Sequence, residues 1–131
     1  MVTKISLRNV QRALRVGAVM LAVGLPLGLY FGGAQPVAVG LIPSPYDKLV
    51  HAGVFAVMAA AIGYASGLRG LPMLLVAWLG GVAVGAMDEW HQMYLPGRSA
   101  GLDDLAADAA GAAVGALALL ARDRIKAWLL A

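Results

Sequence analysis

The sequence predicts an all-α polytopic membrane protein, with four transmembrane helices in an antiparallel bundle. Composition points there first. The chain is 61% hydrophobic and 13% charged, against about 45–50% and about 25% in an ordinary soluble domain. Its mean hydropathy is +0.79. A chain of 131 residues has too little interior to hide that much apolar surface from water. The second observation is the arrangement of the apolar residues in four runs of spanning length. They cover 16–34, 49–66, 71–87 and 105–121, or 19, 18, 17 and 17 residues, where crossing a bilayer takes roughly 17–25. None shows the period-2 alternation of a barrel strand. One domain is expected at this length.

The elements follow in order. Residues 1–15 read as a basic interfacial segment, with Lys4, Arg8, Arg12 and Arg15 spaced for one helical face and Ile5 and Val10 turned away. Helix one, 16–34, is uncharged, and Pro26 between Gly24 and Gly28 should kink it. A cleaved signal peptide is the rival reading, with Gly32 and Ala34 mimicking a cleavage site. The apolar run is long for that, so helix one is expected to stay. Helix two, 45–66, has a start signal in Ser44 as N-cap, Pro45 at the first turn and Asp47 closing a capping box. Helix three, 71–94, runs to its first breaker, Pro96-Gly97. Pro96 to Gly101 form a loop, and Asp103 or Asp104 starts helix four, 103–121. The transmembrane domain is thus 16–121, followed by a basic tail, 122–131.

Charge sets the expected orientation. Lys4, Arg8, Arg12, Arg15, Arg69, Arg122, Arg124 and Lys126 all fall on one side of a four-crossing chain. The positive-inside bias makes that side, with both termini, cytoplasmic. The net charge of +3 therefore reads as orientation charge, and no nucleic-acid partner is expected. The other side receives Asp47, Asp88, Glu89, Asp103, Asp104 and Asp108, both histidines, and only Lys48 and Arg98 as cations. Tyr30, Tyr46, Trp90 and Tyr94 fit an aromatic belt at that boundary. With no Cys, disulfides, thiolate chemistry and Cys-ligated metals are excluded.

Depth brings the polar groups together. Counted from Arg69 and Arg122 at about 1.5 Å per residue, His51, Asp88, Glu89 and Asp104 lie about 27–30 Å up, and Asp108 about 21 Å. Glycines indicate rotation. Gly81 and Gly85 form a GxxxG step leading to Asp88, Glu89 and Gln92, while Asp104, Asp108, Gly111 and Gly115 share one face of helix four. Glycine faces mark helix contacts in membranes, so the acids should point inward. The same four glycines offer a route to self-association. Asp47 and His51 form an i, i+4 pair that completes the layer. Asp47 and Asp103 each also read as plain helix-start residues, and His91 reads as an exposed interfacial side chain. Trp78, Phe55 and the methionines read as packing.

The sequence D-K-x-x-H, then D-E-x-x-Q, then P-G-R, then D-x-x-x-D-x-x-G-x-x-x-G resembles the VanZ-like membrane proteins of bacteria. Asp47 to His51 is similar to the family's opening motif, Asp88 to Gln92 to its central acidic motif, and Pro96-Gly97-Arg98 with Asp104 to Gly115 to its closing motif. Asp108 stands where many members carry Asn, and His91 is outside the pattern. The family takes its name from a member linked to teicoplanin resistance. The resemblance implies a multi-pass protein of the bacterial inner membrane with a part in the cell envelope and in glycopeptide resistance. It supplies no molecular activity.

The expected function is an outward polar cluster that binds or modifies an envelope component, lipid-linked or glycopeptide-related. His51, Asp88, Glu89 and Arg98 are the residues for chemistry, with Asp47, Lys48, Gln92, Asp104 and Asp108 in binding roles. The cofactor is left open: these side chains could hold a divalent metal, with His51, Asp88 and Glu89 as candidate ligands, although no zinc-enzyme motif is present. Membrane lipids and a lipid-linked substrate are the expected partners. The alternative is a non-catalytic scaffold or partner-binding protein. A transporter is disfavoured, because no ionisable residue lies in the inner half of any span.

Overall fold

The computed structural model describes residues 4–130 and the side chains of 6–130. Lys4 and Ile5, as faces of the N-terminal segment, and Ala131 of the tail lie outside the described side chains. The chain forms α1 (Lys4–Gly33), a 3-10 turn (Pro36–Ala38), α2 (Tyr46–Ser66), α3 (Gly70–Gln92) and α4 (Leu102–Leu129). No strand occurs among the described residues. All four helices are long and apolar enough to cross a membrane. Their backbone groups are satisfied within each helix, as a lipid environment requires.

Two helices are longer than their apolar runs. α1 includes the basic segment that the sequence set apart, and α4 continues through Arg122, Arg124 and Lys126. Hydropathy marks where lipid ends, whereas nothing between Arg15 and Val16 or between Ala121 and Arg122 breaks a helix. Pro26 lies inside α1, which runs on through it. α2 starts later than its signal suggests. Pro45 takes the N-cap position, and no side chain caps the helix, so the expected Ser44–Asp47 capping box does not form. α3 stops at Gln92, and a tightened turn carries the chain on through the Tyr94 N–H donating to His91 O and the Leu95 N–H donating to Gln92 O, both at 3.1 Å. Gly97 then adopts φ +74, the left-handed region open to glycine. α4 begins at Leu102, with Gly101 rather than an aspartate in the N-cap position.

α2, α3 and α4 form a triangle around small side chains, and α1 packs on its outside, mainly against α2. The central cluster is Ala59, Ala77, Ala112 and Ala116, flanked by fully buried Phe55, Met58 and Met73. Small residues let backbones approach, so packing rather than expulsion of water holds these helices together. The approach is closest between α2 and α4. A Cβ on Gly111 would overlap the backbone of Ala52, and one on Gly115 the backbone of Ala56. Gly81 and Gly85 instead meet α4, at Ala112 and Asp108. These four glycines are buried within the chain, with their faces against α2, α3 and α4. The outward surface is apolar, with Leu21, Val23, Leu27, Val57, Leu79, Val114 and Leu117 all exposed.

The bundle has two chemically distinct ends. At one, the Arg122 guanidinium lies 5.0 Å from the Tyr64 ring centre, and Arg15 lies against Gly67. At the other, the N-termini of α2 and α4 meet the C-termini of α1 and α3, and six of the seven acids gather there.

Candidate functional site at the acidic end of the bundle

Three polar groupings hold this end together. The first centres on Lys48, in the first turn of α2. Its Nζ lies 3.2 Å from Asp47 and 3.0 Å from Asp103, and also bonds Asp104. Asp103 and Asp104 open α4, so one ammonium pins two helix starts. Asp104 is the more buried of the two, while Asp103 is largely exposed and adds little, as exposed pairs do.

The second grouping lies a turn deeper. His51 Nδ1 and Asp108 Oδ1 are 2.8 Å apart. The Asp108 side chain is fully buried. Gly85 on α3 makes room for it, since a Cβ there would stand 3.0 Å from Asp108 Oδ2. An imidazole held through Nδ1 by a buried carboxylate has a fixed orientation and one remaining nitrogen, Nε2, for a ligand or a proton. Nε2 makes no hydrogen bond among the described residues.

The third grouping comes from the end of α3. Gln92 donates to Asp88 across one helical turn at 2.8 Å. Glu89 accepts the Gly101 N–H at 2.8 Å, so a carboxylate from α3 satisfies an orphan donor at the start of α4. Asp88, Glu89 and Gln92 are all buried.

Arg98 stands apart from the carboxylates. Its Nη1 donates to Ala38 O at 3.3 Å, and its Nε is buried without a partner. It makes no ion pair among the described residues. Beside it is a cleft of about 340 Å³, lined by Asp47, His51, Gln92, Arg98, Ser99 and Asp104 and by Leu41 and Ile42 of the α1–α2 connection. Nearby, the His91 ring stacks on Tyr30 of α1 with centroids 3.9 Å apart. It is half-buried rather than exposed as the sequence suggested.

Every sequence-derived site residue thus lies at this end, but they do not share one network. His51 pairs with Asp108, Lys48 with the three outer aspartates, Asp88 with Gln92, and Arg98 with a carbonyl. The grouping with metal-ligand spacing also differs. One ligand atom from each of His51, Glu89 and Asp108 lies within 4.8 Å of the others. Asp108 takes the place that the sequence gave to Asp88, whose carboxylate is held by Gln92. Sequence reasoning missed Asp103 as a partner of Lys48, the Gly101 N–H, and the α1–α2 connection as a cleft wall. The i, i+4 spacing of Asp88 and Gln92 was a usable signal for their pairing.

A model of the family described as VanZ/LLP1 matches residues 6–123, which include all of this constellation. The chain belongs to the VanZ family. As a VanZ-family chain with four spanning helices, it is a multi-pass membrane protein. No curated protein and no solved structure matches it.

Proposed function

We propose that this VanZ-family protein binds an anionic, lipid-linked component of the bacterial cell envelope in the cleft beside Arg98. The acidic end then faces the outside of the inner membrane, and both termini lie in the cytoplasm. The positive-inside bias supports that orientation, because eight basic residues stand at the opposite end. The observation that carries the ligand class is Arg98. Six carboxylates gather at this end, yet the guanidinium pairs with none of them among the described residues and borders the cleft. A guanidinium left unneutralised beside a cleft is suited to phosphate, to which its remaining N–H groups can donate. The apolar walls contributed by Leu41 and Ile42 suit a ligand with a lipid tail. Such a ligand enters sideways from the outer leaflet.

His51 gives the site a chemical handle, since Asp108 orients its ring and leaves Nε2 for a ligand or a proton. A change in a lipid-linked envelope precursor would alter how the cell surface meets glycopeptides, which is the link to resistance. The second reading is binding without chemistry. Lys48, Glu89 and Asp88 favour it, because each already holds a neighbour within the bundle.

The test is native mass spectrometry of the purified protein with undecaprenyl phosphate. One lipid per chain is expected for the wild type. At least tenfold weaker binding is expected for Arg98→Gln, with no change for Asp123→Asn at the basic end. Equal binding by Arg98→Gln and wild type overturns the proposal. Turnover of bound lipid that is lost in His51→Gln separates modification from binding alone.

A further inference from the structure

Two carboxylate oxygens in the interior have no partner. Glu89 Oε1 and Asp108 Oδ2 are both buried and accept no hydrogen bond. Their residues are 7% and 0% exposed. An unpaired carboxylate oxygen in a membrane bundle is costly and must take up a proton, a water or a cation. The protein's own cations do not serve. Lys48 is held by Asp47, Asp103 and Asp104, and Arg98 is turned to the Ala38 carbonyl.

We propose that His51, Glu89 and Asp108 hold one divalent first-row transition-metal ion, zinc or manganese. Each residue offers a donor, and the three donors lie within 4.8 Å of one another. The side chains come from α2, α3 and α4, so the ion joins the three helices of the triangle at one point. One ligand is already steadied from outside the triad: Glu89 is held through its other oxygen by the Gly101 N–H. Outer contacts of this kind orient metal ligands. One imidazole with two carboxylates selects a transition metal over magnesium or calcium, which prefer all-oxygen surroundings.

The charge balance favours the same conclusion. Six carboxylates against two cations leave this end negative, which favours uptake of a cation. A divalent ion offsets that field. His51 is the ligand that also borders the cleft, so the ion lies at the inner wall of the space next to Arg98. Three protein ligands leave a coordination position for a phosphate oxygen or a water. That last role rests on the lipid-phosphate reading above, whereas ion binding itself does not.

The experiment is metal analysis of the purified full-length protein in lipid nanodiscs. Zinc, manganese and magnesium chloride are titrated separately, and bound ion is read by native mass spectrometry and thermal denaturation. One zinc or manganese ion per chain is expected, with a raised Tm. Affinity at least tenfold weaker is expected in Glu89→Gln and Asp108→Asn. Glu89→Gln retains an acceptor for the Gly101 N–H, so it tests the ion without removing the helix cap. Arg98→Gln should keep the ion and lose the lipid, which separates failure of one proposal from failure of the other. Absence of stoichiometric zinc or manganese in the wild type overturns the site and leaves protonation as the state of the two carboxyls. Unchanged affinity in Glu89→Gln, or magnesium binding as tight as zinc, overturns it equally.

Discussion

Gly111→Ala should damage the fold and the site together. The added Cβ would stand 2.6 Å from Ala52 Cα and 2.7 Å from its carbonyl carbon, on the residue next to His51. Carbon atoms rest about 3.5–4.0 Å apart, so α2 and α4 must separate by about 1 Å at this level. The His51–Asp108 contact, 2.8 Å in the wild type, is one turn away between the same helices. Separation by that amount takes it beyond hydrogen-bond range. Forcing a methyl group into a packed contact costs about 1–3 kcal/mol. A lost hydrogen bond to a charged group costs about 1.5–3 kcal/mol. Alanine returns up to about 1 kcal/mol of helix propensity. The expected net loss is about 3 kcal/mol. Reversible unfolding in mixed micelles, followed by tryptophan fluorescence, measures it. Gly24→Ala on α1 is the control, since a Cβ there meets nothing within 4 Å and stability should stay within about 0.5 kcal/mol. Equal stability of Gly111→Ala and Gly24→Ala would show that α2 and α4 are not in backbone contact at this level.

Further outcomes follow from the same contacts. Lys48→Met should lower stability by about 2 kcal/mol, because Asp104 is left part-buried beside two other acids. Adding Asp104→Asn should recover part of that loss in the same unfolding assay. Glu89→Ala should fray the start of α4 and speed amide exchange at Gly101, whereas Glu89→Gln should leave that exchange slow. Trp78→Phe should cost about 0.5–1.5 kcal/mol through the lost indole bond to Ala109 O, which spans 3.1 Å to a neighbouring helix.

The four helices were legible because hydropathy over spanning lengths is a strong signal, and the polar layer was legible because helical rise is constant. Rotation and partner choice were not. Glycines on α3 and α4 marked helix contacts, and in the structure Gly111 and Gly115 face α2 while Gly81 and Gly85 face α4. A glycine marks close approach without naming the neighbour. Asp88 and Glu89 are adjacent in sequence and both buried, so only the Gln92 contact shows which one is already satisfied. Trp78 read as packing, but its N–H needs an acceptor in lipid and finds Ala109 O. The α1–α2 connection carries no chemical motif, and its place beside Arg98 comes from tertiary structure. The ends of α1 and α4 were misplaced because a basic residue ends a hydrophobic run without ending a helix.

The functional reading requires the cleft to open to the outside of the cell. The chain has no Cys, so single cysteines can be introduced without background. Ser99, exposed at the cleft, and Ala127, exposed at the basic end, are the two positions to compare. Spheroplasts carrying Ser99→Cys or Ala127→Cys are treated with a membrane-impermeant maleimide before and after lysis. Ser99→Cys should react from outside, more slowly with undecaprenyl phosphate present, and Ala127→Cys only after lysis. Labelling of Ala127→Cys from outside, with Ser99→Cys protected until lysis, would place the cleft in the cytoplasm and contradict an envelope ligand.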